Sequence, residues 1–78
     1  MDKETILNDA LAQRRQSVLE YQVNIDNFKA AIEEVRAQHS EDTTLQPFLM
    51  QLKELLASSI LEQKKEKIML KVIEDQLK

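Results

Sequence analysis

Apolar side chains recur with heptad spacing through the first half of this sequence. Between Leu7 and Val35, alternating steps of four and three residues meet an apolar or aromatic side chain at every position except Arg14. The positions are Leu7, Leu11, Arg14, Val18, Tyr21, Ile25, Phe28, Ile32 and Val35. This spacing places them along one side of an α-helix, as in a seam between packed helices. The sequence therefore predicts a long helix from about residue 3 to about residue 37, capped by Asp2.

The composition restricts the fold to helices. The 78 residues contain no glycine, no cysteine and one proline. Because glycine supplies the positive φ angles of tight turns, its absence argues against β-sandwiches, barrels and phosphate-binding loops. Without cysteine there is no disulfide and no thiolate metal site. We therefore predict a single all-α domain spanning residues 1–78, with no metal or other cofactor, no membrane span and a cytoplasmic location.

A polar segment separates the first helix from a second one. The heptad pattern stops at Gln38, and the next six residues are polar or charged. We expect a loop at about residues 38–43 and a second helix at about residues 44–78, with Thr43 or Thr44 as its cap. Pro47 then falls in the first turn, where its missing N–H has no partner to lose. A loop this short predicts an antiparallel hairpin.

The second helix carries a broad apolar stripe over its first half. It comprises the seven predicted interface residues, namely Leu45, Phe48, Leu49, Leu52, Leu55, Leu56 and Ile60, followed by Leu61. A stripe of this width is more than one partner helix covers. A lone hairpin of this length also buries little surface, so association is the natural source of further stability. The sequence predicts a homodimeric four-helix bundle with this stripe at its interface, while a groove for the helix of another protein remains the alternative.

The apolar pattern of both helices is interrupted, and the interruptions match. In the second helix, residues 62–67 include no apolar side chain. Antiparallel pairing about the loop places this segment opposite Arg14, the one charged residue of the first seam. A charged residue in such a seam sets the register of the helices. We expect Glu66 or Glu20 to pair with Arg14.

Basic side chains suggest a second function. Five residues are candidates for contacting phosphates, namely Arg14, Arg15, Lys64, Lys65 and Lys67. Glutamates lie between them, the chain has a net charge of −3, and no aromatic residue is near enough to stack on a base. Nucleic-acid association is therefore the alternative function rather than the leading one.

The sequence contains no recognisable catalytic arrangement. His39, the only histidine, lies in the loop without a visible nucleophile or ligand partner. The acidic residues around the loop do not have the spacing of a calcium loop. We predict a non-catalytic protein-interaction module, such as an adaptor, assembly chaperone or inhibitor, that acts as an oligomer. Its expected partners are a second copy of itself or the helix of another protein.

Overall fold

The chain folds into an antiparallel hairpin of two long helices. The structure, a computed structural model, describes residues 2–78. Helix α1 spans Lys3–Gln38, a 3₁₀ turn spans Thr43–Leu45, and helix α2 spans Gln46–Gln76. The all-α class and the hairpin predicted from the sequence are thus confirmed. The molecule is a rod of 59 × 18 × 14 Å, with a radius of gyration of 17.6 Å against about 11.5 Å for a compact domain of this length.

Side-chain caps define where the helices begin. The Asp2 carboxylate accepts a hydrogen bond from the backbone N–H of Thr5 at 2.8 Å, which confirms the predicted cap of α1. Asp42 caps the 3₁₀ turn, whereas α2 follows Leu45 without a side-chain cap, so the predicted cap of α2 at Thr43 or Thr44 is wrong. The carboxylate of Asp42 accepts hydrogen bonds from both the backbone N–H and the hydroxyl of Thr44. The Asp42 carboxylate is therefore the acceptor at this turn. The hydroxyl of Thr44, which was expected to act as a capping acceptor, donates to this carboxylate instead.

The 3₁₀ turn delays the start of α2 relative to the predicted boundary. Residues 43–45 form this tighter turn, so α2 begins at Gln46, and it ends at Gln76. Pro47 lies in the first turn of α2, as predicted. At the other side of the loop, the backbone N–H of His39 donates to the carbonyl of Val35 and closes α1.

The best-packed part of the core lies next to the loop. Ile32 and Val35 of α1 are buried there against Leu52 of α2. Surrounding apolar side chains complete the cluster, namely Phe28, Ala31, Leu45, Leu49 and Leu56. Further along the rod, Ile25 and Ile73 are also buried. Within residues 2–78, neither helix has an apolar segment long enough to cross a bilayer.

Candidate interaction surfaces

Both helices contribute a heptad seam to the contact between them. Every seam position of α1 from Leu7 to Val35 is buried or half-buried. Helix α2 has a matching seam in steps of four and three from Leu45 to Leu77, and each of its positions is buried or half-buried as well. The α2 seam consists of Leu45, Leu49, Leu52, Leu56, Ser59, Gln63, Glu66, Leu70, Ile73 and Leu77. The hairpin is therefore an intramolecular pair of helices with continuous seam-to-seam packing.

The α2 seam divides the broad stripe that the sequence suggested as an interface. Four of its residues belong to the seam and face α1, namely Leu45, Leu49, Leu52 and Leu56. Phe48 and Leu55 lie beside the seam and remain 45% and 41% exposed. Ile60 is half-buried on the other side of the seam. Of the predicted interface, Phe48 and Leu55 are thus the large side chains that the hairpin itself leaves uncovered.

One long side of the rod, which we term the apolar flank, combines exposed apolar residues with small ones. On α2 it contains Phe48, Leu55 and Met69, which precede seam leucines and are each at least 40% exposed. Their spacing in multiples of seven aligns them along the helix. On α1, the residues that precede seam positions on this side are small, namely Ala10, Ser17, Asn24 and Ala31. Small side chains on one helix beside large ones on the other leave room for a third helix to approach closely.

The opposite long side, which we term the basic flank, carries cationic residues. Lys29 and Arg36 of α1 and Lys53 of α2 line an open groove of about 360 Å³, together with Glu33. Ile32 and Leu56 form its apolar floor. The equivalent flank positions nearer the open end of the hairpin hold Arg15 and Lys67, and all five cationic residues are exposed.

A polar layer crosses the seam in the middle of the rod. Arg14 Nη1 donates to both carboxylate oxygens of Glu66 at 3.0 Å, and the two side chains are 37% and 19% exposed. This confirms the predicted pairing of Arg14 with Glu66 and the coincidence of the two polar interruptions. Beside it, buried Gln63 donates through Nε2 to the carbonyl of Val18 at 3.1 Å and to Gln22 Oε1 at 2.9 Å.

Gln63 was not among the residues predicted to lie in a seam, because its side chain is polar. The signal was nevertheless present, since Gln63 lies seven residues after Leu56 and seven before Leu70 in the α2 seam. A glutamine in a seam is satisfied by hydrogen bonds across it, and here the partner helix supplies both acceptors. The polar layer therefore contains an amide network as well as an ion pair.

The residues considered for phosphate binding do not converge on one surface. Arg14 is engaged by Glu66 in the seam, and Lys65 Nζ lies 2.9 Å from Glu62 Oε1 on the surface of α2. Because successive residues of a helix are about 100° apart, Lys65 is directed away from Lys67. Arg15, Lys64 and Lys67 lie on the side of the basic flank. The cationic surface is extended along the rod by Lys29, Arg36 and Lys53, which were not among the predicted phosphate contacts.

The remaining candidate groups are isolated. Among residues 2–78, no cluster of three or more histidine, cysteine, aspartate or glutamate residues has the arrangement of a metal site. A second open depression, of about 330 Å³, lies at the open end of the rod and is lined by Lys3, Glu4, Leu7, Gln76 and Leu77. Its mixed polar and apolar lining contains no convergent set of reactive groups.

The fold and its two flanks define the chain as an antiparallel helical hairpin with one apolar and one basic side. Comparisons with protein-family models, with curated proteins and with solved structures found no match to the chain. The seams, the flanks and the polar layer are therefore the features from which we argue function.

Proposed function

We propose that the chain is a non-catalytic protein-interaction module that works as a homodimer, in which two hairpins pack through their apolar flanks into a four-helix bundle. The observation that carries this proposal is the amount of apolar surface that one hairpin leaves exposed. On the apolar flank of α2, Phe48, Leu55 and Met69 remain exposed, while Met50, Leu61, Ile68 and Val72 are exposed outside this flank. Large apolar side chains aligned along one exposed side are typical of protein interfaces.

The accessible surface area agrees with the size of a stable interface. The single chain exposes 5886 Å². A monomeric protein of 9.1 kDa exposes about 4,900 Å². The excess, about 1,000 Å², is close to the roughly 800 Å² that each partner buries in a standard specific interface. The surface that one hairpin exposes in excess is therefore large enough to include a specific interface.

Charge favours the apolar flank over the basic flank as the surface of self-association. In a two-fold symmetric dimer the same surface of each copy meets its counterpart. Pairing of basic flanks would place Lys29, Arg36 and Lys53 against their own copies, and like charges at an interface are strongly disfavoured. Pairing of apolar flanks would instead place Phe48, Leu55 and Met69 beside the small residues of α1.

Within this proposal the dimer is the active form of an adaptor, assembly chaperone or inhibitor. The module acts through its surfaces, in keeping with the absence from the sequence of a recognisable arrangement of nucleophile and base. A cytoplasmic location stays a prediction from the cysteine-free composition.

Solution mass tests the proposal directly. Light scattering between about 1 µM and about 100 µM should give twice the mass of the chain at the higher concentrations. Leu55→Glu should shift the protein to a monomer that retains its helicity, because the glutamate enters the proposed interface but stays exposed in the hairpin. Leu61→Glu is the matched control, since Leu61 is exposed on the outer face of α2 and should leave the dimer intact.

Either of two results would contradict the proposal. One is a wild-type protein that stays monomeric over the whole concentration range. The other is a dimer that tolerates Leu55→Glu but dissociates with Leu61→Glu, which would assign self-association to the outer face of α2. Circular dichroism on both variants separates dissociation from unfolding.

A further inference from the structure

The cations of the basic flank have no carboxylate partner within the hairpin. The ion pairs formed among residues 2–78 involve Arg14, Lys65, Lys71 and Lys78. None of them includes a member of the basic flank, whose cations are Arg15, Lys29, Arg36, Lys53 and Lys67. The chain has a net charge of −3, and yet it keeps this row of cations unpaired on one side. Such segregation produces a positive surface on a protein that is acidic as a whole.

The geometry near the loop adds an apolar component to this surface. Lys29, Arg36 and Lys53 line the groove together with one carboxylate, Glu33, so cations outnumber carboxylates at its rim by three to one, and Ile32 and Leu56 form its floor. A ligand that fits this arrangement presents an apolar side chain to the floor and carboxylates to the rim. An amphipathic helix docks in a groove in this manner, with its apolar residues inward and its charged residues at the edges.

We propose that the basic flank binds an acidic amphipathic helix of another protein, seated along the groove between α1 and α2. The floor positions the helix through an apolar contact at Ile32 and Leu56, and the rim cations pair with its carboxylates. A second copy of this chain is a poor occupant, because its own basic flank carries the same charge. This inference does not depend on the proposed dimer. The dimer would cover the apolar flank of each hairpin and leave the basic flank, on the opposite side, accessible.

Nucleic acid is the competing occupant, and the groove fits it less well. The aromatic residues of the described chain lie in the seam, at Tyr21 and Phe28, or on the apolar flank, at Phe48, so the basic flank offers no ring for a base to stack on. A phosphate backbone would also gain nothing from an apolar floor. Titration of the chain with DNA, beside the peptide titration, tests this alternative.

A synthetic peptide provides the probe. It has about three heptads, with leucine at the seam positions and glutamate at the flanking positions, and carries a fluorescent label for anisotropy titrations against the full chain. A peptide with glutamine in place of glutamate tests the rim, and one with serine in place of leucine tests the floor. Single-stranded and duplex DNA of similar length test the competing occupant.

Two charge reversals on the same helix form the matched pair of variants. Lys53→Glu removes a rim cation, and Lys65→Glu makes the same change in net charge on the other side of α2; both residues are exposed. Lys53→Glu should weaken binding of the acidic peptide about tenfold or more, whereas Lys65→Glu should change it by less than about twofold. Raising the salt from about 0.05 M to about 0.5 M should weaken binding by the wild-type protein. The solution mass of Lys53→Glu should equal that of the wild type, which separates this test from that of the dimer.

Several results would overturn the inference. Equal loss of affinity in the two variants would show that net charge alone attracts the peptide. Equal binding of the serine-substituted peptide would remove the role of the apolar floor. No saturable binding of the acidic peptide at low salt, or tighter binding of DNA than of the peptide, would assign the cations of this flank to another role.

Discussion

The ion pair between Arg14 and Glu66 should contribute measurably to stability through the coupling of its two members. Glu66 is 19% exposed and accepts two hydrogen bonds from one guanidinium nitrogen, while Arg14 is 37% exposed. In double-mutant cycles, exposed pairs show coupling free energies of about 0.2–1 kcal/mol. Because Glu66 is largely shielded from water, we expect a coupling free energy at the upper end of this range, about 1 kcal/mol.

A double-mutant cycle measures this coupling. Arg14→Ala, Glu66→Ala and the double variant are compared with the wild type by urea unfolding followed by circular dichroism. All four proteins are held at one protomer concentration, because association contributes to the apparent stability. Arg14→Ala should cost more than Glu66→Ala, since it leaves the less exposed of the two charges without a partner. The double variant should lose less than the two single losses combined.

Additive losses would refute this reasoning. A coupling free energy below about 0.3 kcal/mol would mean that the ion pair behaves like a solvated surface contact, in spite of its hydrogen-bond geometry. A larger loss for Glu66→Ala than for Arg14→Ala would contradict the expectation that the more shielded charge depends more on its partner.

Two further predictions concern the core and the loop. Leu52→Asp should dissociate and largely unfold the protein, because an unpaired charge enters the cluster of Ile32 and Val35. Lys65→Ala, the control, should leave the stability of the fold nearly unchanged. Wild-type helicity and mass in Leu52→Asp would contradict the core assignment. Hydrogen bonds from Thr44 lower the pKa of Asp42 from its ordinary value of 3.8, so the stability they confer is present above that value and is lost as the pH falls through the lowered pKa. Asp42→Asn should keep the cap but flatten the loss of thermal stability below about pH 4, and an unchanged pH profile would show that Asp42 does not contribute.

Most of the features predicted correctly are those that one helix encodes by itself, and the ion pair between the two helices is the exception. The seam of α1 is visible because its spacing is regular and its flanks are polar or small. The cap at Asp2 depends on residues within the first turn. The pairing of Arg14 with Glu66 was accessible because both helices are interrupted once, and the short loop fixes which segments face each other.

Apart from the local cap at Asp42, the features that were missed depend on the partner helix. In α2, seam leucines and flank residues such as Phe48 and Leu55 have the same chemical character, so a single helix does not reveal which of them face α1. Burial divides them only once the two seams are in register. Gln63 escaped notice for the opposite reason, because a polar side chain breaks an apolar pattern even where a hydrogen-bonding partner makes it a seam residue.

The polar layer has a consequence for which other helices this chain can pair with. A displacement of one heptad, about 10 Å along the rod, would move Arg14 from Glu66 to Ile73 or Ser59. Gln63 would at the same time exchange its side-chain acceptor, Gln22, for Arg15 or Lys29, which have no acceptor. A leucine-rich helix of another protein that lacks a carboxylate and an amide at the positions facing Arg14 and Gln22 would likewise leave these polar groups of α1 without partners. The polar layer therefore makes pairing of α1 with α2 more favourable than pairing of either helix with a similar helix of another chain that lacks the matching polar residues.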